Sequence, residues 1–351
     1  ASAVSGGFTR VCCMANTNPV NDNASVTDYI NKRAAESGYC HVHPIGAITK
    51  GLKGEELASI AELKEAGCVA ISDDGLTVQN SNLMRLALEY AKSFDLPITT
   101  HSIDKHLCQN GHMNESFFST KLGIKGVPNA AEDVIISRDI MLAELTGAHL
   151  HVGHLSTAYG IQLVKEAKER GVKVTCEVTP HHFSLTDESI CDYNTNFKMC
   201  PPLRSAKDVQ AIKEALKIGG IIDAIATDHA PHGVVDKEVE FDKAAFGILG
   251  FETALPLSLN LVREGYLSLK EMIRLFTIRP SQVFNLEGGT LKVGATADIT
   301  IFDPELEWTL EKDQIFSKSK NSPFINQKLK GRVVNTLVNG KIRFSKDKGL
   351  M

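Results

Sequence analysis

The chain has no CxxC array: its eight cysteines stand singly along 351 residues, apart from the neighbours Cys12 and Cys13. Cysteines spread in this way do not make a disulfide framework, and reduced thiols in a cytosolic protein are the expectation. No apolar run reaches the length of a membrane span. The opening segment Ala1-Ser-Ala-Val-Ser-Gly-Gly-Phe8 lacks both the basic region and the long apolar core of a signal peptide. A basic stripe is missing too. With a net charge of −4 and a pI near 6.3, the composition argues against nucleic acid or a membrane surface as partner. Its Lys-rich stretch, Lys318–Lys330, is broken by Asn, Ser, Pro and Phe and reads as a solvated loop. What remains is a chain 43% hydrophobic, long enough to bury one large core and a smaller module, as a large soluble enzyme does.

Short apolar runs bounded by polar, Gly or Pro residues are present at Val11–Asn16, His41–Ile48, Cys68–Asp74, Pro97–His101, His149–His154, Val172–Thr179 and Ile221–Asp228. Between them lie amphipathic stretches such as Glu55–Ala66, Leu83–Ser93, Ala131–Leu145, Ile161–Arg170 and Val209–Ile218. This alternation predicts parallel pairing through right-handed crossovers. The fold class is α/β, a (β/α)8 barrel, and a closed barrel needs one strand more than the seven visible runs. We therefore expect the chain to be N-terminally truncated, with the first barrel strand upstream of Ala1. On that reading the 351 residues by themselves are poorly folded and inactive. After Phe284 the pattern turns to β, with Asn339-Gly340 as a hairpin turn. Residues 1–284 are expected to form the barrel, and 285–351 a small β domain completed by the upstream segment.

The chemistry gathers at strand ends. The run Ile221-Ile-Asp-Ala-Ile-Ala-Thr-Asp-His-Ala-Pro-His232 is an apolar strand that stops in a carboxylate and two histidines. Asp74, His101, His154 and Asp228 all end strands in this way, which places them on the C-terminal face where barrel active sites form. Imidazole and carboxylate suit a borderline divalent ion, and we expect zinc, one ion or two. A helix cap or a hydrogen-bonding strand end is the plainer reading of each residue alone, and four equivalent positions outweigh it. His41-Val-His43 has good metal-binding spacing, but its strand runs on to Thr49, so both rings belong at the opposite end of the barrel. His149 and His151 fall equally early in their strand.

Several segments carry a resemblance. They are Gly6-Gly-Phe-Thr9, Met14-Ala-Asn-Thr-Asn-Pro19, Pro44-Ile-Gly-Ala-Ile-Thr-Lys-Gly51, Glu65-Ala-Gly-Cys-Val-Ala-Ile-Ser-Asp-Asp-Gly75, His154-Leu-Ser-Thr157, Cys176-Glu-Val-Thr-Pro-His-His182, Pro201-Pro-Leu-Arg204, Thr227-Asp-His-Ala-Pro-His232, Phe246-Gly-Ile248 and Glu252-Thr-Ala-Leu-Pro256. In this order and spacing, across essentially the whole chain, they resemble the bacterial type I dihydroorotases of the amidohydrolase superfamily. The resemblance implies metal ligands at Asp74, His101, His154 and Asp228, with Asp228 also the general acid/base. It implies substrate contacts at Asn16, His232 and the backbone of Phe246 and Gly247. At Cys200, where the family commonly has Asn, it implies a contact through the backbone only. The family's H-x-H-x-R motif has no counterpart here, in keeping with the missing strand. A carboxylated lysine, used by hydantoinases, has no counterpart either: Val69 stands there, followed by Asp73-Asp74-Gly75.

The implied reaction is reversible hydrolysis of dihydroorotate to N-carbamoyl-aspartate in pyrimidine biosynthesis, with a metal-activated water as nucleophile. The implied partners are that small molecule and, as assemblies compatible with the family, a homo-oligomer or an aspartate carbamoyltransferase. Three competing functions are an allantoinase or hydantoinase, a catalytically silent dihydroorotase-like subunit, and a binding module with a structural metal. A silent subunit is expected to have lost ligands, and a binding module has no reason to gather four of them on one barrel face.

Overall fold

The computed structural model describes residues 1–351. Its central sheet contains seven parallel strands: β1 (Arg10–Cys13), β2 (His41–Gly46), β3 (Ala70–Ile71), β4 (Ile98–Thr100), β5 (Leu150–Val152), β6 (Val174–Val178) and β7 (Ala224–Ile225), bonded in that order. Each falls inside one of the expected apolar runs, except that β1 begins one residue early, at Arg10. The registers Arg10↔His41, Ile45↔Ala70, Ile98↔Leu150 and Glu177↔Ala224 carry the sheet from one edge to the other. β1 and β7 are the two edges of this curled sheet and are not bonded to each other. Ile71, Ile98, Leu150, Val152, Cys176 and Val178 are fully buried, because helices cover the outer face while residues of the interior fill the inner one.

The crossover helices start where a side chain can take up free N–H groups. Asn80 caps Ser81–Lys92, Thr157 caps Ala158–Glu169 and Ser205 caps Ala206–Ile218. The helix expected over Glu55–Ala66 is shorter, beginning only at Ile60. Residues just before it are held in extended form, through the Thr49↔Leu57 bridge and the Ala58 N–H donating to Ile48 O at 2.9 Å. A bonded backbone outranks helical periodicity there.

Four antiparallel strands form the second sheet: β8 (Ile299–Thr309), β9 (Lys328–Val338), β10 (Lys341–Ser345) and β11 (Gly349–Leu350). β9 and β10 are joined by Asn339-Gly340, both with positive φ (52° and 72°), as a two-residue hairpin of matching twist requires. The first residues of the chain bridge this sheet and helix Phe251–Arg263, with Ser2 and Ser5 donating to Glu252. Val4 clusters with Val333, Val338 and Phe344, and Thr336 Oγ1 donates to Val4 O at 2.7 Å.

One expectation is corrected. Within the Lys318–Lys330 stretch, residues 321–324 are buried and Phe324 enters the main core. Lys320 does not lie out in solvent with its charge; it turns back onto the carbonyls of Ile315 and Ser317. Composition shows a polar segment, whereas the cover over residues 321–324 comes from elements distant in sequence.

Candidate active site

Asp74, His101 and His154 are each held in place by neighbours. Asp73 and Asp74 are adjacent carboxylates with different tasks. Asp73 is buried and accepts the N–H groups of Ile48 and Thr49 at 2.8 and 3.0 Å, tying the end of β3 to the loop after β2. Asp74 is thereby turned into the site, where Asn16 Nδ2 donates to its Oδ2 at 3.3 Å. Thr77 fixes the turn beyond His101 by donating to His101 O and accepting from Ile103 N. His154 and Asp228 both have left-handed backbones, at φ 32° and 42°, a conformation non-glycine residues hold only when surrounding contacts impose it. For His154 those contacts are visible: Gly153 N donates to Thr100 O, Leu155 N donates to Glu177 O, and Glu132 accepts from the N–H and hydroxyl of Ser156.

Asp74, His101 and His154 come together, with ligand atoms that all lie within 4.8 Å of one another. His101 Nδ1 and His154 Nε2 are 2.9 Å apart, and the Asp74 carboxylate is 3.5 Å from His154 Nε2 and 3.8 Å from His101 Nδ1. Two buried imidazole nitrogens and a carboxylate oxygen converging on one point are the donor set a borderline divalent ion takes. Asp228 is not one of those three, yet its charge acts on His154 and is acted on by Asp74.

The electrostatics are steep. Burial pushes the Asp228 carboxyl up to about 7, with His154 pulling the other way and Asp74 and Glu177 adding to the rise. Burial alone lowers the His154 value, but the hydrogen bond to Asp74 and the charges of Asp228, Asp74 and Glu177 overcome it and raise the ring to about 9. His101 falls to about 4 through burial and the neighbouring His154. A proton here is shared among few groups, and Asp228 sits near neutrality, where a group can both take and return one.

Other residues singled out by sequence are placed as follows. Cys200 turns its Sγ to within 3.4 Å of His101 Nε2, so its side chain backs an imidazole of the cluster. His232 lies against Gly247: a Cβ built on Gly247 comes within 2.5 Å of its ring, so only glycine fits there. Gly247 has already committed its amide, with its N–H donated to Lys198 O and its C=O accepting from Lys237 Nζ and Asn321 Nδ2. Phe246 stacks on His112 with centroids 6.3 Å apart, and Lys198 Nζ stands 4.4 Å from its ring. His229 faces elsewhere; its Nδ1 accepts the N–H groups of Gly250 and Phe251 at the start of helix Phe251–Arg263.

His41 and His43 are not in the cluster. His41 Nε2 is 3.1 Å from Asp298, the residue just before β8, which also pairs with Arg10 at 2.8 Å. Replacing both histidines by alanine is expected to leave bound metal per chain unchanged. Loss of a metal equivalent, read by elemental analysis of the purified variant, would contradict this. Sequence reasoning missed Glu177. It is a buried acid on β6, 3.1 Å from His151 and felt by both His154 and Asp228, and a carboxylate inside the apolar run Val174–Val178 was the available signal.

Comparison with known proteins identifies the family of the chain. A family model described as Dihydro-orotase-like matches residues 1–159, and the Amidohydrolase family model matches residues 143–344. A curated protein named Dihydroorotase from Geotalea daltonii is 53% identical over 99% of this chain and 81% of its own length. Its namesake from Geobacter sp. (strain M21) is 54% identical over 97% of this chain and 80% of its own. Among solved structures, the L-hydantoinase (dihydropyrimidinase) from Arthrobacter aurescens superposes with a TM-score of 0.88 at 26% identity, covering 100% of this chain and 80% of that one.

Proposed function

Because the chain belongs to the dihydroorotase family of amidohydrolases, a family of cyclic amide hydrolases, we propose that its strand-end cluster performs the reversible opening of dihydroorotate to N-carbamoyl-aspartate. The observation that carries the chemistry is the convergence of Asp74, His101 and His154 at the ends of β3, β4 and β5. The ligands are Asp74, His101, His154 and Asp228, and the ion is zinc, bound once or twice. Such an ion supplies, when bound, polarisation of the amide carbonyl and a lowered pKa for the attacking water.

The chain's own groups do the rest. Asp228 accepts the proton of the water that adds to the ring carbonyl and returns it to the ring nitrogen as the C–N bond breaks, serving as base and then acid. His232 and Asn16 orient the ring, and the bare Cα of Gly247 lets the substrate and the His232 ring approach closely. Such orientation removes several kcal/mol from a barrier, on the order of the lower range seen for well-aligned reactants. All eight cysteines are free, which supports a cytoplasmic location, and no helix is long and apolar enough to cross a membrane.

Zinc-loaded enzyme at the full length of its curated relatives is expected to hydrolyse dihydroorotate and to close N-carbamoyl-aspartate, while leaving hydantoin and allantoin unchanged. Hydantoin turnover without dihydroorotate turnover would overturn the assignment. Cys200→Ala is expected to weaken metal retention by roughly tenfold, the low end for loss of a partner behind a ligating histidine, because a thiol is a weak partner. Competition with a chelator measures it, and unchanged retention would remove Cys200 from this role.

A further inference from the structure

We propose that Asn321, from the segment preceding β9 and outside the barrel strands, is a positioning residue that sets the place of His232 in the active site. The side chain is buried and uses every polar atom it has. Its Nδ2 donates to Ala230 O at 2.9 Å and to Gly247 O at 3.0 Å, and its Oδ1 accepts the His232 N–H at 3.1 Å. Its own carbonyl accepts the Leu249 N–H at 3.0 Å. Both donors face carbonyl oxygens and the acceptor faces an N–H, so the amide has one workable orientation.

These four bonds span the two legs of a single excursion. One leg leaves β7 through Asp228 to His232; the other returns through Gly247 and Leu249 to helix Phe251–Arg263. Between themselves the legs share the Ala230 N–H to Ile248 O bond, at 3.1 Å. Asn321 is thus the third member that fixes the spacing of His232 from Gly247, where the ring and the glycine already touch. Lys237 reaches Gly247 O as well, but nothing else bonds the His232 backbone N–H. The connection between β8 and β9 is in this way part of the substrate-orienting machinery, which explains why a stretch of polar, lysine-rich composition is buried at residues 321–324.

The inference rests on the dihydroorotase reading and on His232 as a substrate contact, and wild-type turnover tests that reading separately. In the enzyme with zinc bound, Asn321→Ala is expected to raise KM for dihydroorotate about tenfold while kcat changes less than about threefold, the pattern of lost ground-state and transition-state binding together. The same substitution in a His232→Ala background is expected to raise KM no further than about twofold, because its effect passes through His232. Asn321→Asp keeps the acceptor, loses both donors and sets a carboxylate against two carbonyls, so it should match or exceed the alanine effect. Unchanged KM in folded Asn321→Ala, or a full additional effect in the His232→Ala background, would overturn the proposal. Failure of both Asn321 variants to fold would overturn it too, since the residue would then serve the fold and not the site.

Discussion

Asp228→Ala is expected to abolish turnover, by 10⁴-fold or beyond on the order-of-magnitude scale for loss of a general acid/base that is also a ligand, while the protein remains folded. The second half of that expectation follows from the structure as directly as the first. Asp228 is a carboxylate that burial pushes up to about 7, so its charged form is costly where it sits, and no protein donor is bonded to it. Removing such a group relieves a desolvation penalty and leaves no protein partner stranded. Circular dichroism and a denaturation midpoint close to the parent's, together with undetectable dihydroorotate hydrolysis, are the expected pair of results. Near-parental turnover in folded Asp228→Ala would refute its role.

The largest effect on stability is expected at Arg204 and Glu132. Both are about 1% exposed, and Arg204 Nη2 lies 3.0 Å from Glu132 Oε2. Arg204 also donates to Ser156 Oγ, Asn114 Oδ1 and Val127 O, at 3.0, 3.1 and 3.1 Å. Glu132 in turn receives the N–H of Ser156 at 2.7 Å, two residues after His154. Removing one partner leaves an uncompensated charge and several unpaired groups, at a cost of about 3–5 kcal/mol. Arg204→Ala or Glu132→Ala should lower the unfolding free energy by that amount, measured in urea. A loss below about 1 kcal/mol would mean that the pair is not the clamp its geometry describes. Because the clamp holds the turn carrying His154, weaker metal binding should accompany the destabilisation.

The parts of this molecule readable from sequence are those decided by local pattern. Seven apolar runs marked seven strands because a parallel sheet covered on both faces leaves no polar alternation to confuse them. Asp74, His101 and His154 could be placed together because each follows its strand by one to three residues and all strands run the same way. His41 and His43 could be set aside for the same reason, as they open β2 and do not end it. Roles decided by distant contacts were not readable. Nothing near Asn321 in sequence shows that it faces Ala230, His232 and Gly247, and its lysine neighbours point the other way. Cys200 was read as a backbone contact to substrate, while the thiol's approach to His101 depends on a residue 99 positions away. His229, beside Asp228 in the same motif, caps a helix, a task set by where Phe251 begins.

The central claim is that Asp74, His101, His154 and Asp228 hold a catalytic divalent ion at the C-terminal face of the barrel. Anomalous diffraction at the zinc edge from crystals of the zinc-loaded enzyme tests it most directly. A peak is predicted about 2.0–2.2 Å from His101 Nδ1, His154 Nε2 and a carboxylate oxygen of Asp74, distances usual for zinc with these ligands. A peak beside His41 and His43, or none near Asp74 in crystals whose enzyme turns over dihydroorotate, would contradict the account.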